Sequence, residues 1–202
     1  MQQNFTTKIS IIIPVYNEVE SLPELNEKLL KTMATLPFNY EIIFIDDGST
    51  DGSFEVLKEL KRSNNKIKIM KFRRNFGQTA AIDAGFKKAR GELILTMDAD
   101  LQNDPADIPK LLEKINDGHD VICGWRKNRQ DPFSKKIISR CANLLRKIIL
   151  CDKIHDAGCT LKIYRKTCLQ NLNLYGEMHR FIPSILEWRG FKISEVIVNH
   201  CP

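Results

Sequence analysis

Residues 92–102 read ELILTMDADLQ, a short apolar run that ends in two aspartates one residue apart. Three earlier runs have the same character, at residues 8–15 (KISIIIPV), 40–45 (YEIIFI) and 66–72 (KIKIMKF). They are rich in β-branched residues and lack clean alternation, which is typical of strands buried on both faces of a sheet. Because helical patterns separate them, the sequence predicts an α/β fold with a mostly parallel central sheet flanked by helices.

Weaker strand patterns follow in the second half of the chain. They lie at residues 120–123, 160–164 and 193–198, with helices near residues 134–150 and 180–189. A chain of 202 residues is too short for two comfortable domains. We therefore expect one domain over residues 1–202, whose character changes near residue 124.

One helix boundary is marked by its sequence. Asp107 stands one residue before the apolar-periodic stretch 108–115, where it could cap the helix. Pro109 is tolerated in a first turn, because N–H groups there lack intrahelical partners, and Gly118 can end the helix.

Composition excludes several classes of protein. Hydrophobic residues make up 43% of the chain and charged residues 28%, which argues against a disordered or fibrous protein. No apolar run approaches the ~20 residues that cross a bilayer, and residues 1–8 do not resemble a signal peptide. We expect a soluble, cytosolic chain with reduced, partly buried cysteines, since no C-x-x-C pair occurs among them (Cys123, Cys141, Cys151, Cys159, Cys168, Cys201).

The positive charge is concentrated in one segment. Residues 125–153 hold nine Lys or Arg and two Asp, a local charge of +7 against +6 for the whole chain. The remainder is therefore close to neutral, at −1. A basic block on a neutral body suggests a polyanion, a membrane surface or a phosphorylated substrate as the partner.

The ends of the predicted strands carry acids, at the edge where ligands bind in parallel sheets. Asp98 and Asp100 repel each other unless a cation or hydrogen-bond donors compensate, and with Gln102 they offer the oxygen ligands that Mg²⁺ or Mn²⁺ prefers. An exposed acidic turn is the alternative interpretation.

A second acidic turn, at residues 46–52 (DDGSTDG), follows the second strand. Turn chemistry explains Gly48 and Gly52, which permit positive φ, and Ser49 or Asp51, which can cap the next helix. It does not explain two adjacent acids at a strand end. The sequence lacks G-x-G-x-x-G after the first strand, a P-loop and a G-x-S-x-G elbow, so the common dehydrogenase, NTPase and hydrolase signatures are absent.

These stretches, with several others, resemble glycosyltransferase family 2, which has the GT-A fold. Within it the sequence is similar to the polyprenyl-phosphate glycosyltransferases related to dolichol-phosphate mannosyltransferase. The matching stretches cover nearly the whole chain: residues 13–18 (IPVYNE), 46–52, 74–78 (RNFGQ), 97–102 (MDADLQ), 124–126 (GWR), Ser139 and Arg140 with Asn143, and 176–181 (GEMHRF).

The resemblance implies roles for individual residues. The nucleotide base and ribose pocket would be lined by Pro14, Tyr16, Glu18 and Asp47, with Asp46 beside it. Asp98 would reach the ribose and the metal, while Asp100 and Gln102 would hold Mg²⁺ or Mn²⁺ against the donor diphosphate. Phosphates of donor or acceptor would be faced by four residues: Arg126, Arg140, His179 and Arg180.

The implied reaction is an inverting transfer of a sugar from a nucleotide-sugar donor to a polyprenyl phosphate. Residues 1–124 would be the nucleotide-sugar and metal-binding half, and residues 125–202 the acceptor-binding half. A divalent ion stabilises the leaving nucleoside diphosphate, and an ionised acceptor phosphate needs no strong base. Relatives continue past the strand at residues 196–202 into a basic loop, so either the chain is truncated or acceptor binding is arranged differently.

The basic segment contains a predicted amphipathic helix at residues 134–150, with Lys135, Lys136, Arg140, Asn143, Arg146 and Lys147 on one face. This face is either solvated or docks on an anionic membrane, which would place the protein peripherally at the cytoplasmic membrane.

Two rival functions remain at this point. A saccharide acceptor would need a carboxylate base, for which Asp156 or Glu187 is the candidate. A catalytically idle domain could bind nucleotide or nucleic acid, but the basic block has little of the aromatic interleaving that favours nucleic acid. The sequence leaves the oligomeric state unknown.

Overall fold

A computed structural model describes residues 8–127 and 154–201. Within these ranges, seven strands form one sheet: β1 (Ile9–Val15), β2 (Tyr40–Asp46), β3 (Ile67–Lys71), β4 (Leu93–Thr96), β5 (Val121–Trp125), β6 (Lys162–Arg165) and β7 (Ile193–Ile197). The helices are α1 (Ser21–Ala34), α2 (Ser53–Ser63), α3 (Gln78–Lys88), α4 (Ile108–Asn116) and α5 (Ile182–Trp188). Three 3₁₀ turns add Pro105–Asp107, Lys166–Leu169 and Met178–Phe181.

The strand order is β3-β2-β1-β4-β6-β5-β7. All pairings are parallel except those of β6, which runs antiparallel to both β4 and β5. This confirms the predicted α/β fold with a mostly parallel sheet, and every predicted strand is present within two residues of its expected bounds. The predicted helix at residues 134–150 lies outside the described residues.

Both faces of the sheet are covered, as the unalternating strand sequences predicted. Ile11 and Ile13 of β1 pack in one apolar cluster with α1 and α4, whereas Ile12 packs in a second cluster with α3 and α5. All three side chains are fully buried. Because successive side chains of a strand point to opposite faces, one strand sequence supplies both cores.

The predicted cap of α4 is wrong in its detail. The Asp107 side chain makes no capping hydrogen bond to the helix. The chain already turns at Pro105–Asp107, so Asp104 takes the capping position there and accepts a hydrogen bond from the N–H of Ala106 at 2.9 Å. Asp107 instead binds two groups outside the helix backbone, which are described below. Gly118, with φ +87°, follows the end of the helix as expected.

No helix in the described part of the chain is long and apolar enough to cross a membrane. The cysteines there are free thiols, with Cys123, Cys159 and Cys168 buried and Cys201 half-buried. Cys141 and Cys151 lie outside the described residues.

Candidate active site

A cleft of about 290 Å³ opens at the carboxyl edge of the sheet. Its walls come from the chain after β1, β2 and β4 and from the loop that leads into α3. The residues that line it are Pro14, Val15, Tyr16, Glu18, Asp47, Asn75, Gly77, Gln78, Asp98, Ala99 and Asp100. The structure therefore brings together six of the predicted site residues, which are far apart in sequence: Pro14, Tyr16, Glu18, Asp47, Asp98 and Asp100.

The wall after β1 is held by the second acidic turn. The N–H of Glu18 donates to Ser53 Oγ at 2.8 Å, and the N–H of Val19 donates to Asp51 Oδ2 at 3.0 Å. Asn17, which has a positive φ of 56°, accepts from the N–H of Thr50 at 2.8 Å. The turn thus fixes the loop that presents Tyr16, whose side chain is half-exposed toward the cleft.

The two adjacent acids of that turn have different surroundings. Asp46 is fully buried and does not line the cleft; its Oδ1 accepts from the N–H of Ser49 at 3.0 Å, and its Oδ2 lies 4.0 Å from Lys71 Nζ. Asp47 lines the cleft and accepts from the N–H groups of Phe76 at 2.7 Å and Gly77 at 2.8 Å. Asp46 therefore holds the turn, while Asp47 joins the turn to the loop before α3.

Gly48 lets this loop come close. Its φ is +77°, and an added Cβ would lie 2.5 Å from the carbonyl carbon of Arg74. Any side chain at this position would displace the loop that carries Asn75 and Gly77, two residues of the cleft wall.

In the acidic pair after β4, the pKa of Asp98 is shifted upward. Burial raises the pKa of the Asp98 carboxyl to about 6, and the negative charge of Asp100 adds to this rise. A hydrogen bond with Thr160 and the positive charges of Lys162 and Arg126 act in the opposite direction. A half-buried carboxylate beside a second one is costly to ionise, and a bound cation would relieve that cost.

The donor set fits a hard divalent ion. Asp98 and Asp100 both line the cleft, and Asp100 Oδ1 accepts from the N–H of Gln102 at 3.1 Å. Within residues 8–127 and 154–201 there is no cluster of three or more His, Cys, Asp or Glu side chains placed to hold a metal. The oxygens of Asp98 and Asp100 are of the type that Mg²⁺ or Mn²⁺ prefers, and water, an amide or a substrate phosphate would complete the ligands of such an ion.

Arg126 and Asp156 bind each other. Arg126 Nε lies 2.8 Å from Asp156 Oδ2 and Nη2 lies 3.1 Å from Oδ1, a bidentate pair that is almost fully buried. Lys162, the first residue of β6, is 3% exposed and donates to the carbonyl of Ala157 at 3.0 Å. Neither Arg126 nor Asp156 lines the cleft, although the charge of Arg126 reaches Asp98.

His179 and Arg180 lie on one 3₁₀ turn but in different environments. His179 is buried, and its Nδ1 lies 2.7 Å from the hydroxyl of Thr79 in the first turn of α3. Burial lowers the pKa of His179 to about 4, so the ring is neutral at neutral pH. Arg180 is exposed and lies 3.6 Å from Glu177.

Some site residues fell outside the predictions. Gln78 donates to Asp98 Oδ1 at 2.5 Å, and its place directly after a glycine at the start of a helix was a usable signal. Lys162 was signalled by a lysine inside an apolar strand sequence. Arg140, a predicted phosphate contact, lies outside the described residues.

The sequence profile of the family described as Glycosyl transferase family 2 matches residues 10–172 of this chain. The chain belongs to glycosyl transferase family 2. The matched range contains every residue that lines the cleft.

The names of two curated relatives of this family 2 chain refer to polyprenyl phosphates. It is 44% identical over 198 residues to a dodecaprenyl-phosphate galacturonate synthase of Rhizobium johnstonii, a match that covers 96% of this chain and 59% of the relative. It is 39% identical over 194 residues to an undecaprenyl-phosphate 4-deoxy-4-formamido-L-arabinose transferase of Proteus mirabilis, covering 96% and 60%. The chain thus spans about three-fifths of the length of these relatives.

Solved structures of glycosyltransferases share the fold of this family 2 chain. A mannosyltransferase of Pyrobaculum calidifontis, in complex with GDP-Man and Mn²⁺, superposes with a TM-score of 0.69 at 15% identity, covering 96% of this chain and 57% of that one. Mannosyl-3-phosphoglycerate synthase of Rubrobacter xylanophilus superposes with a TM-score of 0.75 at 13% identity, covering 97% and 68%. These likenesses identify the GT-A fold.

Proposed function

We propose that this chain is the catalytic domain of an inverting, divalent-metal-dependent glycosyltransferase. It transfers a sugar from a nucleotide-sugar donor to a polyprenyl phosphate, acting peripherally at the cytoplasmic membrane surface. The observation that carries the proposal is the meeting of Asp47, Asp98 and Asp100 in one cleft at the carboxyl edge of the sheet. The names of the curated relatives support the acceptor class.

The donor nucleotide would occupy the part of the cleft formed after β1 and β2. Tyr16 offers an exposed ring for stacking on the base, and Glu18 and Asp47 offer carboxylates to base or ribose donors. Because Asp46 is buried against Ser49 and Lys71, its contribution is to hold the turn that carries Asp47.

Asp98, Asp100 and Gln102 would hold Mg²⁺ or Mn²⁺ near the donor diphosphate. When bound there, such an ion would supply Lewis-acid stabilisation of the charge on the leaving nucleoside diphosphate. Gln78, bonded to Asp98 Oδ1, would orient that carboxylate within the cleft.

The acceptor phosphate would be met by two cations of the second half of the chain, Arg140 and Arg180. Arg126, almost fully buried against Asp156, would act on that phosphate through its charge, while His179 is buried and neutral. A phosphate monoester has a second pKa near about 6 and is largely ionised at neutral pH, so attack needs no strong general base. The saccharide-acceptor alternative would use Asp156 or Glu187 as base, but Asp156 accepts two hydrogen bonds from the Arg126 guanidinium, and Glu187, on α5, does not line the cleft. This pairing favours the phosphate acceptor.

The test is a binding panel of UDP, GDP and their sugar conjugates, with Mn²⁺ or with chelator, read by thermal shift and calorimetry. We expect one nucleoside diphosphate to bind with Mn²⁺, and Asp100→Asn to weaken that metal-linked binding at least tenfold. Asp117→Asn removes an exposed carboxyl outside the cleft and should bind like the unmodified chain. If the unmodified chain binds the nucleoside diphosphate equally well in Mn²⁺ and in chelator, the metal has no role in binding. If Asp100→Asn keeps full affinity in Mn²⁺, Asp100 is not a ligand of the metal.

A further inference from the structure

Asp107 is a buried carboxylate that lies outside the cleft and needs an explanation. Its side chain is 1% exposed. One oxygen accepts from the ammonium group of Lys110, and Oδ2 accepts from the backbone N–H of Asn199 at 2.6 Å. Asn199 follows β7 and is 92 residues away in sequence, so this carboxylate joins two distant parts of the chain.

The segment that Asp107 holds also contacts the loop of the acidic pair. The N–H of Cys201 donates to the carbonyl of Gln102 at 3.1 Å. This bond belongs to an antiparallel bridge between His200 and Asn103. Residues 199–201 therefore lie along residues 102–107 and are attached to them by this bridge and by the bond of Asp107 to Asn199.

The same loop is held from its other side. Asn103 is 3% exposed, and its Nδ2 donates to Thr160 Oγ1 at 2.8 Å. Thr160 is itself fixed, because its carbonyl accepts from the hydroxyl of Thr96 at 2.8 Å. Gln102 and Asn103 are thus bound between β4, the residues before β6 and the residues after β7.

Leu101, the residue directly before Gln102, has a strained backbone conformation. Leu101 has φ +64°, a left-handed conformation that leucine rarely adopts and that persists only where neighbouring contacts impose it. The conformation of Leu101 sets the direction of the chain between Asp100 and Gln102. Contacts that hold Gln102 therefore also hold the carboxylate of Asp100 in the cleft.

We infer that Asp107 is a positioning residue, which fixes the loop of residues 98–102 by holding residues 199–201 against Gln102 and Asn103. The inference rests on the proposed function for the use of that loop in metal binding. Mg²⁺ demands near-ideal geometry from its ligands, and loss of outer supporting bonds commonly lowers metal affinity by about 10- to 100-fold.

The test compares Asp107→Ala with Asp107→Asn and Lys110→Ala. Asp107→Ala removes the acceptor for the N–H of Asn199, Asp107→Asn keeps an oxygen that can accept it, and Lys110→Ala removes only the ammonium partner. Amide hydrogen exchange is measured on the chain without metal or nucleotide. We expect the amides of Asn199, Cys201 and Gln102 to exchange at least about tenfold faster in Asp107→Ala, and near the original rate in the other two variants.

Amides of β1 and β2 serve as the reference for global opening. If they accelerate as much as Gln102 in Asp107→Ala, or if Gln102 keeps its rate while Asn199 accelerates, the positioning role is refuted. A second measurement is Mn²⁺-linked nucleoside diphosphate affinity, expected to fall about 10- to 100-fold in Asp107→Ala with binding in chelator unchanged. If the unmodified chain shows no such linkage, the proposed metal dependence fails, while the exchange comparison still decides whether Asp107 holds the loop.

Discussion

Neighbouring residues can have opposite roles because a strand alternates its side chains. Asp46 is the last residue of β2 and points into the protein, where it is fully buried, whereas Asp47 is the first residue beyond the strand and lines the cleft. The sequence signalled that two acids here were unexplained by turn chemistry. It could not show which of them faces a ligand.

The buried pair of Arg126 and Asp156 yields a stability prediction. Asp156→Ala removes the carboxylate that binds the buried guanidinium and should cost about 3–5 kcal/mol of unfolding free energy, measured by urea denaturation. Glu55→Ala removes one partner of the exposed pair with Lys58 and should change stability by less than about 1 kcal/mol. If the two changes lower the unfolding free energy equally, the buried pair contributes no more to stability than the exposed pair.

His179 yields a prediction about pH. Its folded pKa of about 4 lies below the ordinary value of 6.5, because burial disfavours the charged ring; Glu177 opposes this effect, and Arg180 and Lys162 reinforce it. Between these values the unfolded chain binds the proton and the folded chain does not, so stability is full above pH 6.5 and falls as pH drops toward 4. The loss from this group is about 3 kcal/mol.

The matched variants for His179 separate titration from hydrogen bonding. His179→Asn keeps a polar partner for Thr79 but does not titrate, so urea unfolding between pH 7 and 4 should lose about 3 kcal/mol less than in the unmodified chain. Thr79→Val removes the hydroxyl and leaves the imidazole, so the unfolding free energy of this variant should still fall between pH 7 and 4. An unchanged acid response in His179→Asn would assign the response to other groups.

At the level of elements, the contact of α3 with β1 depends on a glycine. An added Cβ on Gly85 would lie 2.5 Å from Ile12 Cγ2, so the helix packs on the sheet where only hydrogen is tolerated. Gly85→Ala would stabilise an isolated helix by about 1 kcal/mol. Here the overpacking of about 1–3 kcal/mol should exceed that gain, giving net destabilisation in urea unfolding.

A double-mutant cycle with Ile12→Ala tests this cause. Ile12→Ala removes the Cγ2 and Cδ1 atoms that the new Cβ would meet, so adding Gly85→Ala in that background should be neutral or stabilising. If Gly85→Ala costs the same in both backgrounds, the helix-to-strand contact is not the reason for the glycine.

Two successive cations at the end of β6, Arg165 and Lys166, also act at the level of elements. Arg165 donates to the carbonyls of His119 and Ile115 at the end of α4, and Lys166 donates to the carbonyl of Ala89 just after α3. Positive side chains at carbonyl ends of helices are favourable, because those carbonyls lack partners within the helix. Arg165 and Lys166 therefore stabilise the fold, and their positive charge does not indicate a binding site for an anionic ligand.

At the scale of the whole molecule, the charge asymmetry predicts membrane attachment. Reversing Lys136, Arg140 and Lys147 to Glu should lower co-sedimentation with anionic liposomes at least about a hundredfold, since each cation near such a surface is worth ~1 kcal/mol. Reversal of the exposed Lys31, Lys61 and Arg62 on α1 and α2 makes the same change of net charge elsewhere and should have a much smaller effect. If the unmodified chain does not bind anionic liposomes even at low salt, the basic face is solvated and does not dock on a membrane.

The sequence by itself determined the seven strands, their order along the chain and the acids at the strand ends. Helical and strand periods, turn glycines and strand-end acids depend on residues within a few positions of one another, so they can be read along the chain. Motif spacing was also sufficient to indicate the family, before any geometry was known.

Only the tertiary structure decided the partners of the buried charges. Asp46 lies beside Lys71, Asp107 binds Asn199, and Arg126 binds Asp156. Each contact joins residues that adjoin only after sheet and helices have assembled, and a buried charge must find a partner wherever packing places one. The local pattern around Asp107 therefore predicted a helix cap. In the folded protein its carboxylate instead accepts a hydrogen bond from the N–H of Asn199, just beyond β7.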